Sequence, residues 1–97
     1  MSAAGARADL IAHWRSHLAE ARRLSPHTVR AYVSAAQRLI HARDLSEWSE
    51  IAALEAHDLR AHLATRRAEG LGNSSAAREL SALKALITYA RAQSGDP

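Results

Sequence analysis

Cysteine and phenylalanine are absent from this sequence. Without thiols there is no disulfide scaffold and no thiolate zinc site, and a reducing cytoplasm is the expected setting. Proline occurs twice and glycine four times in 97 residues. β-Branched and aromatic residues are also few, while Ala and Leu dominate, a balance that favours an all-α fold over a sheet. No apolar run approaches the roughly 20 residues of a membrane helix. The opening residues carry no apolar segment, so neither a membrane span nor a secretory signal is expected. There is no Gly-rich phosphate loop, no Gly-x-Ser-x-Gly and no His-Glu-x-x-His, which removes the common enzyme signatures.

What is present is an ordinary globular composition, 47% hydrophobic and 24% charged, too apolar for a disordered chain. At 97 residues the length fits one domain around a single core. Net charge is +3, but its distribution says more than its sum. Residues 22–43 carry Arg22, Arg23, Arg30, Arg38 and Arg43 and no acid. Residues 44–69 are net acidic, and residues 70–95 are again net basic. Two basic segments flanking an acidic one suit a protein with one face toward a polyanion.

Four helices are legible. The first spans roughly 6–23, with Leu10, Ile11, Trp14 and Leu18 on one face. Ser25-Pro26 then marks a helix start: a serine hydroxyl can accept from an unpaired N–H, and proline suits the first helical position. That second helix should run to about residue 42, with Val29, Tyr32, Val33, Ala36, Leu39 and Ile40 as its stripe. Residues 44–55, with Leu45, Trp48, Ile51 and Leu54 spaced by three, read as a connector with room for one helical turn. A third helix follows over about 56–69, with Leu59 and Leu63 buried and Gly70 as its left-handed stop. The last runs over about 74–93, with Leu80, Leu83, Leu86, Ile87 and Ala90 apolar. Residues 94–97 are a breaker cluster that reads as the start of a linker. The expected core joins Trp14, Tyr32, Leu39, Leu80 and Ile87.

Three polar constellations carry candidate chemistry. His13 and His17 stand four apart and could face one metal ion, although no third ligand is near in sequence. Glu55, His57 and Asp58 cluster where a helix N-terminus favours acids by its dipole alone. The third is the more informative. At 100° per residue, His27, Arg30, Ser34, Gln37, Arg38 and His41 share an acid-free arc of about 100° on the second helix. Ser74, Arg78, Ser81, Ala85 and Thr88 share another on the last, with Lys84 at its flank. Small side chains allow close approach to a neighbour. That neighbour is either a DNA major groove, wide enough for a helix, or another helix.

The run Arg23-Leu24-Ser25-Pro26-His27-Thr28-Val29-Arg30-Ala31-Tyr32 resembles the opening of the second helix in the N-terminal core-binding domain of tyrosine recombinases of the XerC/XerD type. Arg78-Glu79-Leu80-Ser81-Ala82-Leu83-Lys84 resembles an Arg-x-Leu-Ser-Ala-Leu-Arg signature of the same family. Between them, Leu54 to Leu63 and then Glu69-Gly70-Leu71 match the third helix and its turn in order and spacing. The likeness extends from about Leu10 to Tyr89. Gly72 departs from it where a serine often caps the last helix, leaving Asn73 or Ser74 as the cap. Val33-Ser34-Ala35 replaces a more charged stretch, and Leu86-Ile87 replaces an aromatic pair.

The resemblance implies a four-to-five-helix, SAM-like bundle that forms one half of a C-shaped clamp on double-stranded DNA. Its second and last helices would lie against the major groove. The family's Arg/Lys/His/Arg/His set and tyrosine nucleophile belong to a separate catalytic domain, so Tyr32 and Tyr89 are helix positions and no catalytic residue, metal or cofactor is expected in this chain. The DNA-contacting residues so expected are Ser25, His27, Thr28, Arg30, Ser34, Arg38, Ser74, Ser75, Arg78, Ser81 and Lys84. Other recombinase protomers are the expected partners of the full-length protein, and the isolated domain is expected to be monomeric. The competing reading is a helical protein–protein interaction domain of similar shape that does not bind DNA.

Overall fold

The computed structural model describes residues 3–95, and within them every regular element is helical. Helix α1 (Ala3–Ser16) continues into a π-helical turn (His17–Ala21). It is followed by α2 (Pro26–Ala42), α3 (Trp48–Ala52), α4 (Ala56–Ala68) and α5 (Asn73–Gln93). Of the expected linker start at 94–97, residues 96 and 97 lie outside the described residues, as do residues 1 and 2.

Helix α2 begins as its sequence dictates. Ser25 is extended at φ −62° and ψ 153°, its Oγ accepts from the Thr28 N–H at 3.2 Å, and Pro26 occupies the first turn. The stretch read as a connector contains α3, and both short acidic motifs nearby turn out to be helix starts. The Glu50 carboxylate accepts from the Glu47 N–H at 3.1 Å, and the Asp58 carboxylate accepts from the Glu55 N–H at 2.8 Å. Each closes a reciprocal capping box at the head of α3 or α4.

Four helix ends among the described residues stop on a left-handed residue, with Gly95 (φ +73°) closing α5. Gly70 has φ +107°, and the bonds Gly70 N–H to Arg67 O and Leu71 N–H to Arg66 O complete a Schellman motif there. Arg23 (φ 55°) and Asp44 (φ 56°) do the same after the π turn and after α2, although glycine is the usual residue at such stops. The cap of α5 differs from the expectation. Gly72 itself is the N-cap and offers no side chain, because Asn73 already stands inside the helix. The Asn73 Oδ1 instead accepts from Arg67 at 2.6 Å.

Helix α5 is the central element, packed against α2, α3 and α4, while α1 packs on α2. Trp14, Leu18, Leu39, Ile51, Leu83 and Leu86 are fully buried. Of the five core residues expected, Trp14, Leu39 and Ile87 are buried, but Tyr32 and Leu80 are only half-buried against the core. The buried arc of α5 centres on Glu79, Leu83 and Ala90, which leaves Leu80 about 80° off at its edge. Tyr32 lies at the rim of a groove between α2 and α5.

Arginines tie the helices together at several points. Arg91 on α5 donates to the Ala52 and Leu54 carbonyls, both at 3.2 Å, clamping the end of α3. Arg7 donates to the Leu45 carbonyl at 3.0 Å and pairs with Asp44. Arg43 pairs with Asp58 at 2.9 Å, joining the end of α2 to the start of α4. Arg66 on α4 reaches Glu79 on α5.

Candidate nucleic-acid interface

The α2–α5 groove has a volume of about 750 Å³. Its existence follows from the small residues on the facing sides: Ala31, Ser34 and Ala35 on α2, and Ser75, Ser81 and Ala82 on α5, leave space that longer side chains would fill. His27 and Thr28 line one end, Arg38 and Arg78 add cationic groups, and Leu71 and Tyr32 supply apolar wall.

Seven of the eleven residues expected at a DNA contact therefore meet in one groove: His27, Thr28, Ser34, Arg38, Ser75, Arg78 and Ser81. The other four do not line it. Arg30, Ser74 and Lys84 are exposed on the outer faces of α2 and α5. Ser25, also exposed, is occupied as the α2 cap, its hydroxyl bonded to Thr28.

The cations divide by what already holds them. The side chains of Arg15, Arg22, Arg23, Arg30, Arg60 and Lys84 make no hydrogen bond or ion pair among the described residues. Arg78 has only the Ser75 hydroxyl, at 3.3 Å. Arg38 is different. Its Nη2 donates to Glu79 Oε1 at 2.5 Å, so this arginine is not the free arc residue that periodicity implies.

Glu79 is the residue that the sequence reading missed. It is 5% exposed, and it sits between three basic groups. Oε1 accepts from Arg38, Oε2 accepts from Arg66 Nε at 3.1 Å, and His62 Nε2 lies 3.6 Å from Oε2. Burial alone would raise the carboxyl's pKa, but the hydrogen bonds from Arg38 and Arg66 outweigh it and hold Glu79 below the usual range. Burial pushes His62 down and favours the neutral ring, against a smaller opposing pull from Glu79. The signal was available: Glu79 shares the apolar stripe of Ala76, Leu83 and Leu86, and a carboxylate on such a stripe demands a partner. His62 and Arg66, four apart on α4, are that partner's helix face.

The remaining candidates have other employment. His17 stacks on Trp14 with ring centroids 5.7 Å apart and meets Tyr89 at 4.2 Å, while His13 meets Tyr89 at 5.8 Å and Trp48 at 5.7 Å. The histidine pair thus edges an aromatic cluster of α1, α3 and α5, and the described residues hold no group of three or more metal-ligating side chains. Asp58 is engaged by the cap and by Arg43. His57 is exposed beside Glu55 and Asp58.

Residues 11–94 match the family described as phage integrase, N-terminal SAM-like domain. The chain belongs to this family. As such, it is an all-α, integrase-type N-terminal domain of the tyrosine-recombinase kind. It is 37% identical over 85 residues to the tyrosine recombinase XerC of Methylobacterium sp. (strain 4-46), covering 84% of this chain and 27% of that protein. It is 34% identical over 85 residues to the XerC of Nitrobacter winogradskyi, covering 81% of this chain and 26% of the relative. With the XerC of Bradyrhizobium diazoefficiens it shares 37% over 91 residues, 79% of this chain and 26% of the relative. The chain thus spans about a quarter of the length of these relatives. No solved structure matches it significantly. Among the described residues of this integrase-type domain, no helix is long and apolar enough to cross a membrane.

Proposed function

We propose that this domain is one half of a DNA clamp in a site-specific tyrosine recombinase, holding duplex DNA along α2 and α5. The observation that supports this best is the α2–α5 groove, where serines, His27, Thr28 and arginines converge and the one carboxylate among its described lining residues is buried against two arginines. Arg78 lines it, Arg30 and Lys84 are exposed on the outer faces beside it, and all three are suited to phosphates. Ser34, Ser81 and Ala85 let the two helices come near a groove edge. In this reading the domain does no chemistry. Cleavage and the tyrosine nucleophile belong to a catalytic domain elsewhere in the full-length recombinase, which acts with further protomers in the cytoplasm.

Alone, such a half-clamp should bind duplex DNA with Kd of about 10⁻⁴ to 10⁻⁶ M at physiological salt, the range of non-specific contact. The test is fluorescence anisotropy across a salt series, comparing the parent with the Arg30→Ala/Arg78→Ala double variant. Each lost phosphate contact should reduce the slope of log affinity against log salt by about one. Equal affinity for parent and variant would favour the protein-interaction reading instead. A covalent adduct between the purified domain and any DNA would overturn its non-catalytic role.

A further inference from the structure

Among the described residues lining the groove, Glu79 is the only acid, and it is set into the groove floor with its side chain 4% exposed. A carboxylate beneath a polyanion site is electrostatically adverse unless it does something for a neighbour. The neighbour is Arg38. One edge of its guanidinium is fixed at 2.5 Å by Glu79 Oε1, and its Nε is buried without a hydrogen-bond partner. Yet the side chain as a whole is 39% exposed and lines the groove. Glu79 is in turn anchored from the opposite side by Arg66 and abutted by His62, so α4 braces the carboxylate that holds the α2 arginine.

We propose that Glu79 is a positioning residue for DNA: by fixing one edge of the Arg38 guanidinium, it presents the remaining N–H donors to a backbone phosphate lying in the α2–α5 groove. This inference rests on the clamp reading above. A guanidinium carries five donors in a rigid fork, so one edge can be held by a carboxylate while another accepts a second anion. A free arginine must surrender rotamer freedom to grip a phosphate, whereas one already pinned has little left to lose. The charge count does not oppose the contact. Arg38 and Arg66 outnumber Glu79, and the other nearby acid, Glu69, sits on the outer side of Arg66 at 3.3 Å.

The sign of one substitution separates positioning from simple charge. Removing a negative charge beneath the groove should tighten DNA binding if only potential matters. Removing the group that orients Arg38 should weaken it. Salt-series anisotropy with a short duplex on the 97-residue chain tests this with Arg38→Ala, Glu79→Met, Glu79→Gln and the Arg38→Ala/Glu79→Met pair, each checked for helicity by circular dichroism. Arg38→Ala should reduce the salt slope by about one. Glu79→Met should weaken binding at least about twofold, and adding Arg38→Ala to it should cost nothing more, because the two act as a unit. Glu79→Gln keeps one acceptor and should fall between. Tighter or unchanged binding by the Glu79 variants, or a full Arg38 effect in their background, overturns the inference. Should the Glu79 variants not fold, the parent decides by NMR: Arg38 should show slow guanidinium rotation before DNA is added and a shifted Nε signal after. A freely rotating or unresponsive Arg38 refutes it. If Arg30→Ala/Arg78→Ala weakens binding while Arg38 and Glu79 do not matter, only this inference fails. If none of them matters, the clamp reading fails with it.

Discussion

Replacing Glu79 with alanine should destabilise the domain by about 2–3 kcal/mol, at or just below the lower bound for breaking a buried ion pair. The magnitude follows from what is left behind. Glu79 is nearly inaccessible, and its removal leaves Arg38 and Arg66 facing a common void without their shared acceptor. The usual penalty of about 3–5 kcal/mol applies when the orphaned charge has no route to water. Here Arg38 is 39% and Arg66 23% exposed, so both can turn partly toward solvent and recover some hydration. For a domain of this size, such a loss lowers the melting midpoint by about 10–20 °C. Urea unfolding at pH 7.5, followed by circular dichroism at 222 nm, measures it directly. Converting the cluster to Arg38→Met, Arg66→Met and Glu79→Leu together should restore most of the stability, since buried apolar side chains of similar volume match or exceed a buried ion cluster. A loss below about 0.5 kcal/mol for Glu79→Ala, the range of ordinary surface changes, would show that Glu79 is not the tie between α2, α4 and α5.

Other perturbations follow from the same packing. Leu83→Ala, at a fully buried position on α5, should cost about 2–5 kcal/mol, whereas Leu80→Ala at the half-buried edge should cost distinctly less; equal losses would mean a different helix register. Arg23→Gly should raise stability by about 0.5–1 kcal/mol, because the relief of left-handed strain at φ 55° exceeds glycine's entropic cost; a loss in urea unfolding would contradict this. Stability should also fall with acidification in two windows. His62 is kept neutral by burial, so the unfolded chain takes up a proton first and stability drops as pH falls below about 6.5. His17, lowered mainly by burial and then by Arg22 and His13, adds to that drop with less weight because it is half-exposed. The contribution of Glu79, held below its usual range, is intact above about pH 4.3 and is lost only as pH falls through its lower folded value. His62→Gln should flatten the first window and leave the second; an unchanged profile between pH 7 and 5.5 would count against a buried neutral His62.

Most of the helix plan was legible because the signals were local. Ser25-Pro26 needs only a hydroxyl and a fixed φ to start α2, and Gly70 needs only the absence of a Cβ to end α4. The stripe Leu10, Ile11, Trp14 and Leu18 is buried as its spacing implies, and so are Val29, Val33, Leu39 and Ile40. The misses share a different character. Helix α3 was allowed for only as a single turn within a connector, because its cap is a glutamate and its length of five residues is too short for periodicity to bound it. The left-handed stops at Arg23 and Asp44 carry no glycine to announce them. Glu79 and His62 are polar residues on apolar faces, and their burial makes sense only once α4 and α5 lie side by side. The groove was half legible: the acid-free arcs located its lining, but Arg38 took its actual partner from across the bundle.

A two-dimensional NMR titration of the isotopically labelled 97-residue chain with a short DNA duplex tests the clamp most directly. At low salt, chemical-shift changes should concentrate on α2 and α5, at His27, Arg30, Ser34, Arg38, Ser74, Ser75, Arg78, Ser81 and Lys84. They should fade as salt rises, because each phosphate contact releases condensed counterions. Changes centred instead on residues 44–69, or a spectrum indifferent to DNA at low salt, would contradict a DNA-holding role for these two helices.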